Sequence, residues 1–253
     1  MSVRTIEERG GAWLRIVLDR PRGNLLSLEM VRALMAVLDA QGCARKWVTF
    51  EGAGDDFCFG ATVQEHVTGP MEHVLPETHA LFRRILALPS LTAALVQGRC
   101  LGGGFELALT CDVMIASDDA VLGLPEIALG AFPPAGAALL PLRVGASRAT
   151  ATVITGEVTS AAAWRDAGLV HMIAPRGELI DAAGRWFDGY LGPRSAVALS
   201  AASQASRLAL RSIAVPAIAA AETLYLERVL PTEDAAEGVR AFVEKRAPRW
   251  KDQ

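Results

Sequence analysis

Hydrophobic and polar positions follow two different periods along the first 190 residues or so. Trp13 to Asp19 alternates with the two-residue period of a half-buried strand, and Leu91 to Val96 is the continuous apolar run of a buried one. His73 to Leu88 follows the helical period and is stopped by Pro89. Strands and helices are therefore expected to alternate, which defines an α/β fold.

The same two periods predict the other elements of this part. Ser27 is a candidate N-cap with Glu29 in the first turn, so a helix opens there and Gly42 ends it. Four further short strands and five further helices are expected. The strands are Trp47–Phe50, Asp112–Ala116, Ala120–Gly123 and Val170–Ile173, and the helices are Gly103–Leu109, Pro134–Val144, Ser147–Ile154, Ser160–Ala167 and Glu178–Leu191.

The chain after Pro193 has only the helical period. It predicts three helices, with breaks near Pro216 and Pro231, because proline lacks the N–H that a helix interior needs. The pattern thus divides the chain into an α/β core at residues 1–194 and a helical region at residues 195–253.

Composition and charge exclude several classes of protein. Of the 253 residues 51% are hydrophobic, and 25 basic against 28 acidic side chains give a net charge of −3. A chain this apolar forms a core and is not disordered. It also lacks the basic excess with which a nucleic-acid binder neutralises phosphates, so no nucleic-acid partner is expected.

The N-terminus and the cysteines indicate a cytoplasmic protein. Residues 1–11 carry four charged side chains and no apolar segment, which is not the pattern of a secretory signal. Prolines interrupt Ile127 to Leu142, so no membrane partner is expected. The cysteines and histidines show no metal-ligand spacing, so the thiols are expected to be reduced, the histidines to be structural or surface residues, and no metal to be bound. These residues are Cys43, Cys58, Cys100, Cys111, His66, His73, His79 and His171.

Candidate chemistry is concentrated in three segments, at residues 57–66, 98–108 and 123–130. Each taken alone has an ordinary structural interpretation: a glycine triplet makes a tight turn, and a glutamate in a first helical turn is a dipole partner. In combination, however, Glu106 and Glu126 both sit in apolar surroundings, where an unpaired carboxylate is costly to bury. Two such carboxyls in one cleft can divide acid and base roles, and the N–H groups of Ala61 and Gly103 can stabilise an oxyanion.

These motifs resemble the crotonase (enoyl-CoA hydratase/isomerase) superfamily over essentially the whole chain. The resemblance is carried by Phe57–Thr62, CLGGGFELA, PEIALG and the tail AFVEKRAPRWKDQ. It implies a spiral of ββα units with a helical C-terminal trimerisation region, and a homotrimer or dimer of trimers. It also implies an acyl-CoA substrate, with coenzyme A entering as part of the substrate rather than as a cofactor. In this family the N–H groups at Ala61 and Gly103 bind the thioester oxygen, and Lys245 and Phe242 match positions that contact CoA; a surface lysine and a core phenylalanine are the plain alternative.

The pair of glutamates indicates which reaction is expected. Retention of both Glu106 and Glu126, as in the family's hydratases, implies that one removes a proton from water while the other delivers a proton to carbon. An enoyl-CoA isomerase or a thioesterase of the same fold is the alternative. A non-enzymatic role in RNA binding or scaffolding is disfavoured by the negative charge and the intact pair.

The substrate is suggested by a narrower resemblance. FCFGATVQEH, RPRGNLLS and LGAFPPAGAALLP resemble the cyclohexa-1,5-diene-1-carbonyl-CoA hydratases, which implies hydration to 6-hydroxycyclohex-1-ene-1-carbonyl-CoA in aromatic degradation. Phe59, Phe132 and Pro134 are then expected to shape the pocket for a flat ring, although Phe59 could equally fill core beside the CoA path. Thr62 stands where many members have aspartate and Pro134 where glycine is frequent, and both departures suggest a specialised substrate rather than a general short-chain enoyl-CoA, which is the alternative.

Overall fold

The computed structural model describes residues 2–40, 45–61 and 71–252. These residues form nine β-strands and nine α-helices. In chain order they are β1 (Val3–Glu8), β2 (Trp13–Leu18), α1 (Leu28–Ala40), β3 (Trp47–Gly52), α2 (Met71–Leu86), β4 (Leu91–Val96), β5 (Arg99–Leu101), α3 (Gly103–Thr110), β6 (Val113–Ser117), β7 (Val121–Gly123), α4 (Pro134–Val144), α5 (Ala146–Thr155), β8 (Val158–Ser160), α6 (Ala161–Asp166), β9 (Met172–Ala174), α7 (Leu179–Trp186), α8 (Ala196–Leu224) and α9 (Glu233–Val243).

The strands form two sheets. The larger has the order β1-β2-β3-β4-β6-β9, and all its neighbours are parallel except β1 and β2. The smaller has the order β5-β7-β8, and the isolated bridge between Cys58 and Cys100 extends it beside β5. Successive turns of the chain thus place one strand in each sheet and then a helix, as in β4-β5-α3. The predicted α/β spiral of ββα units is confirmed.

The inner strands of the larger sheet are buried on both faces, which explains why their sequences are nearly continuously apolar. In β4, Ala94 and Val96 belong to the main core, whereas Ala93 and Leu95 face a second cluster. In that cluster the rings of Trp13 and Trp47 stack with centroids 4.9 Å apart. Helices therefore cover both faces, and the loops at the strand ends are left to form a site.

Most predicted elements are confirmed within one to three residues. The Oγ of Ser27 accepts the N–H of Met30 at 3.3 Å, as expected for an N-cap. Strands β1, β5 and β8 were not predicted: β1 is a charged edge strand, and the other two contain three residues each. The predicted helix end at Gly42 lies outside the described residues, and so do Cys43, Thr62 and His66.

The expected break near Pro216 is wrong. A single helix, α8, runs through Pro216 and continues as a π-helical turn over Tyr225–Val229. The cost of the missing N–H is offset by packing, since Ala214 and Ile218 on either side of the proline belong to the main core. The break near Pro231 is confirmed, because α9 begins at Glu233. The division at residue 195 coincides with the N-cap of α8 and stays a prediction.

The most apolar long helix is in the C-terminal region and not at Ile127–Leu142. Within the described residues, Ala196–Val229 is the one helix with the length and hydropathy of a membrane span, and 17% of its most apolar window is buried. Length and hydropathy do not separate such a helix from one that packs on another protein. Its exposed apolar residues are Val197, Leu208, Ile213 and Leu224.

Candidate active site

The ends of the strands and helices enclose a cavity of about 270 Å³. Its walls are mostly apolar, and both predicted catalytic residues, Glu106 and Glu126, line it. The other predicted site residues that line it are Ala61, Gly103, Phe59, Phe132, Pro134 and Phe242. The fold therefore brings eight of the nine predicted residues together, although they come from segments more than 180 residues apart.

The carboxyl of Glu106 is buried and accepts a hydrogen bond from the backbone. It lies in the first turn of α3, is 5% exposed, and its Oε1 accepts the N–H of Gly136 at 2.7 Å. Burial raises its pKa to about 7, and the backbone donors of Gly136 and Ala135 hold it from rising further. These donors are free because Pro134 opens α4, where the first N–H groups have no partner within the helix.

Glu126 lies in a different environment. It belongs to a short 3₁₀ helix, Pro125–Leu129, that follows β7. Its Oε2 is buried and has no hydrogen-bond partner in the described part of the chain. Burial, and then the charge of Glu106, raise the pKa of Glu126 to about 8. The charge of Glu106 thus disfavours ionisation of Glu126, while the donors at the start of α4 favour ionisation of Glu106.

The second carboxyl fits against a glycine. Gly102 has φ +51°, and a Cβ added there would lie 2.5 Å from Oε1 of Glu126. Only glycine permits both this backbone conformation and this approach. The glycine triplet thus has a physical role beyond the turn, since it makes room for the Glu126 carboxyl beside the start of α3.

The two predicted oxyanion donors are adjacent. A Cβ added at Gly60, where φ is +89°, would lie 2.8 Å from the N of Gly103, and one added at Gly103 would lie 3.5 Å from the N of Ala61. The bridge between Leu26 and Ala61 is bonded through Leu26 N and Gly60 O, at 2.9 Å, which leaves the Ala61 N–H outside it. Gly103 is the first residue of α3, so its N–H lacks an intrahelical acceptor.

Aromatic rings form two corners of the cavity. Phe59 is half-buried, packs over Gly23 and has the guanidinium of Arg99 at 4.7 Å from its ring centroid. Phe132 meets Tyr225 edge to face, with centroids 5.6 Å apart. Phe59 therefore lines the site rather than filling the core.

Lys245 is the predicted residue that does not line the cavity. It is exposed, follows α9 and has φ +53°. Phe242, three residues earlier, reaches the cavity yet is 57% exposed. The end of α9 thus lies at the rim of the site, with Lys245 outside it in the single chain.

Two parts of the site were not predicted. The backbone N–H of Gly136 leaves no trace in a sequence, apart from the proline that opens its helix. Tyr225 lines the cavity and is 4% exposed, and a single tyrosine in a helical stretch does not by itself indicate a site. None of the histidines that the structure describes lines the cavity, and His79 is buried with its Nδ1 2.6 Å from Oε2 of Glu222. Within the described residues, no three histidine, cysteine or carboxylate side chains cluster as metal ligands do.

Solved structures define the class of protein to which this fold and site belong. A crystal structure of an enoyl-CoA hydratase from Mycobacterium avium subsp. paratuberculosis K-10 has 28% identity and a TM-score of 0.87, and the match covers 100% of this chain and 99% of that one. The chain thus has the fold of the enoyl-CoA hydratases, and the crotonase resemblance is confirmed.

Sequence comparison gives the family. The family model for enoyl-CoA hydratase/isomerase matches residues 8–253, and the chain belongs to this family. A cyclohexa-1,5-dienecarbonyl-CoA hydratase of Thauera aromatica is 36% identical over 248 residues, which are 97% of this chain and 95% of that protein. A 2,3-dehydroadipyl-CoA hydratase of Escherichia coli K12 is 34% identical over 245 residues, or 94% of each. The protein is accordingly an acyl-CoA hydratase, a hydro-lyase.

Proposed function

We propose that this hydratase adds water to cyclohexa-1,5-diene-1-carbonyl-CoA and forms 6-hydroxycyclohex-1-ene-1-carbonyl-CoA, a step in aromatic degradation. The observation that carries the proposal is the pair of buried carboxyls, Glu106 and Glu126, facing one apolar cavity beside two adjacent backbone N–H groups. The relative from Thauera aromatica, named for the same substrate, and the aromatic corners at Phe59 and Phe132 support a cyclic acyl group. A flat ring packs well against such rings.

The environments of the two carboxyls support a division of roles. Glu106 is the general base, because its ionised form accepts backbone N–H bonds and has the lower pKa of the pair. Glu126 is the general acid, because its buried Oε2 has no hydrogen-bond partner in the described residues and its pKa is raised to about 8. One carboxylate and one carboxylic acid are then present together near neutral pH.

The reaction follows from these roles. Glu106 takes a proton from water as its oxygen bonds to the β-carbon, and the electron pair of the double bond moves onto the thioester oxygen. The resulting dienolate is stabilised by the N–H groups of Ala61 and Gly103. In related chemistry, loss of one such donor raises the activation free energy by about 3 to 4 kcal/mol. Glu126 then delivers its proton to the vinylogous γ-carbon, which leaves one double bond and one new hydroxyl.

The subunits are proposed to assemble as a trimer or a dimer of trimers. Apolar side chains of α8 are exposed on the single chain, and Phe242 is more than half exposed at the rim of the site. Contact with neighbouring subunits would bury this surface. It would also let Lys245 of one chain reach the CoA of another, with Phe242 as an adjoining contact.

The cytoplasm is the proposed location. The three cysteines in the described residues, Cys58, Cys100 and Cys111, are free and buried, which suits a reducing compartment.

The test is a comparison of two substrates. Purified protein is assayed with cyclohexa-1,5-diene-1-carbonyl-CoA and with crotonyl-CoA, and kcat/KM is measured for each. The proposal expects the cyclic substrate to be preferred at least about tenfold, which corresponds to about 1.4 kcal/mol of differential transition-state binding. A preference for crotonyl-CoA would identify a general short-chain enoyl-CoA hydratase instead.

A further inference from the structure

Among its described lining residues, the cavity has one unpaired hydroxyl that the two-carboxyl reaction does not use. Tyr225 lines it together with both glutamates, and within the described ranges its hydroxyl makes no hydrogen bond. The other hydroxyl among the described lining residues, Thr78 Oγ1, donates to Val74 O at 2.8 Å. Tyr225 therefore contributes an unpaired hydroxyl to an otherwise apolar wall.

The position of Tyr225 is fixed on several sides. It begins the π-helical turn at Tyr225–Val229, a distortion that is frequent at functional sites. One turn earlier, Oε2 of Glu222 lies 2.6 Å from Nδ1 of the buried His79, which joins α8 to α2. The ring itself meets Phe132 edge to face. The phenol is thus held in place before any ligand binds.

The charge state of Tyr225 suits it to donate a hydrogen bond. Burial, and then the charges of Glu126 and Glu106, raise its pKa to about 12. The phenol therefore stays protonated over the working range of the enzyme. It is a neutral donor that neither competes with the glutamates for the transferred proton nor adds charge to the cavity.

We propose that Tyr225 is a specificity-determining residue whose O–H donates a hydrogen bond to the hydroxyl that hydration places on the acyl group. The unsaturated substrate has no oxygen at this position, so the bond distinguishes the hydrated from the unhydrated acyl group. The paired rings of Tyr225 and Phe132 form the wall against which the acyl ring packs. This inference rests on the proposed function, since it concerns the product of the same site.

The experiment is a cycle with two proteins and two ligands. Tyr225→Phe removes the hydroxyl and keeps the ring, and its melting temperature is compared with that of the natural protein to confirm folding. The ligands are 6-hydroxycyclohex-1-ene-1-carbonyl-CoA and cyclohex-1-ene-1-carbonyl-CoA, which differ only in the hydroxyl. Calorimetry gives Kd for each combination of protein and ligand. Tyr190→Phe is the matched control, because Tyr190 is the only other tyrosine in the chain and is 64% exposed.

Tyr225→Phe is expected to weaken binding of the hydroxylated ligand about five- to tenfold and to change binding of the other less than twofold. Tyr190→Phe is expected to change neither. An equal change for both ligands, or no change, would overturn the proposal. Failure of the proposed function is seen separately, as absence of dienoyl hydration by the natural protein; the same cycle is then run with 3-hydroxybutyryl-CoA and butyryl-CoA.

Discussion

At the scale of single residues, the proposed chemistry depends on two carboxyls that lie in different environments. Glu106 accepts a backbone N–H at 2.7 Å, whereas the buried Oε2 of Glu126 has no partner among the described residues. Both pKa values are raised, to about 7 and about 8 respectively. The charge of each carboxyl disfavours ionisation of the other, and the backbone donors at the start of α4 favour ionisation of Glu106.

This difference predicts a bell-shaped pH profile. In the proposed roles Glu106 acts ionised and Glu126 protonated, so kcat/KM is expected to rise with pH up to about 7 and to fall above about 8. The two limbs belong to the coupled pair rather than to either residue alone. Steady-state rates from pH 5 to pH 10 check this, and a profile that is flat across pH 6 to 9 would contradict the assigned roles.

Replacement of Glu126, the proposed general acid, is expected to lower activity while it raises stability at alkaline pH. Glu126→Gln should lower kcat by roughly 10² to 10⁴ because it cannot deliver the proton. In the folded protein the Glu126 pKa lies above its unfolded value of 4.5, so its stabilising contribution is complete below about pH 4.5 and is lost as pH rises through about 8. Glutamine cannot ionise, so the variant should gain melting temperature relative to the natural protein at pH 9.

The melting temperatures of Glu126→Gln and the natural protein are also compared at pH 5, where the natural carboxyl is protonated. This difference is the reference for the gain at pH 9. Glu157→Gln is the matched control, since Glu157 is exposed and makes no described ion pair. A difference in melting temperature that is the same at pH 5 and pH 9 would contradict the buried, proton-holding state of Glu126.

At the scale of elements, the turn between β5 and α3 determines the position of Glu126. Gly102→Ala places a Cβ 2.5 Å from Oε1 of Glu126, so it is expected to displace this carboxyl and lower kcat at least about a hundredfold. Gly168→Ala is the control, because Gly168 has φ +82° with no atom within 4 Å of an added Cβ. Both variants carry backbone strain of about 1 kcal/mol or more. Equal activity of the two would show that the contact is unimportant.

The elements also show what the sequence can reveal. Ser27 at an N-cap and Pro134 at a first helical position act through local geometry, so the boundaries they predict are confirmed. Pro216 is different, because packing of α8 on the core decides whether the helix continues, and such packing is not a local property. The edge strand Val3–Glu8 is equally hard to predict from the sequence, since half of its residues are charged and it is a strand because it pairs with β2.

The same distinction applies to the site. Glu106, Glu126 and the glycines were predicted because a carboxylate in an apolar run and a glycine triplet are unusual in a sequence. The donor at Gly136 and the phenol of Tyr225 cannot be predicted in this way, because a backbone N–H has no sequence signal and a tyrosine on a helix is common. Only the meeting of α3, α4 and the turn that continues α8 brings these two groups to the cavity.

At the scale of the whole molecule, the proposed assembly would cover the exposed apolar face of α8. Its side chains are 54% to 80% exposed at Val197, Leu208, Ile213 and Leu224. The proposed assembly has three or six times the 26.8 kDa mass of one chain. Light scattering coupled to size exclusion is expected to give one of these masses, and Leu208→Glu is expected to shift the protein toward monomer. A natural protein that is monomeric at micromolar concentration would contradict the assembly.

The central claim, hydration of a cyclic dienoyl thioester by two carboxyls, is tested most directly by isotope placement. The enzyme converts cyclohexa-1,5-diene-1-carbonyl-CoA in D₂O containing ¹⁸O, and mass spectrometry and NMR locate each label in the product. We expect one ¹⁸O in the new hydroxyl at the β-carbon and one deuterium at the γ-carbon. Deuterium without ¹⁸O would indicate an isomerase, and ¹⁸O in a free carboxylate would indicate a thioesterase; either result would contradict the proposed function.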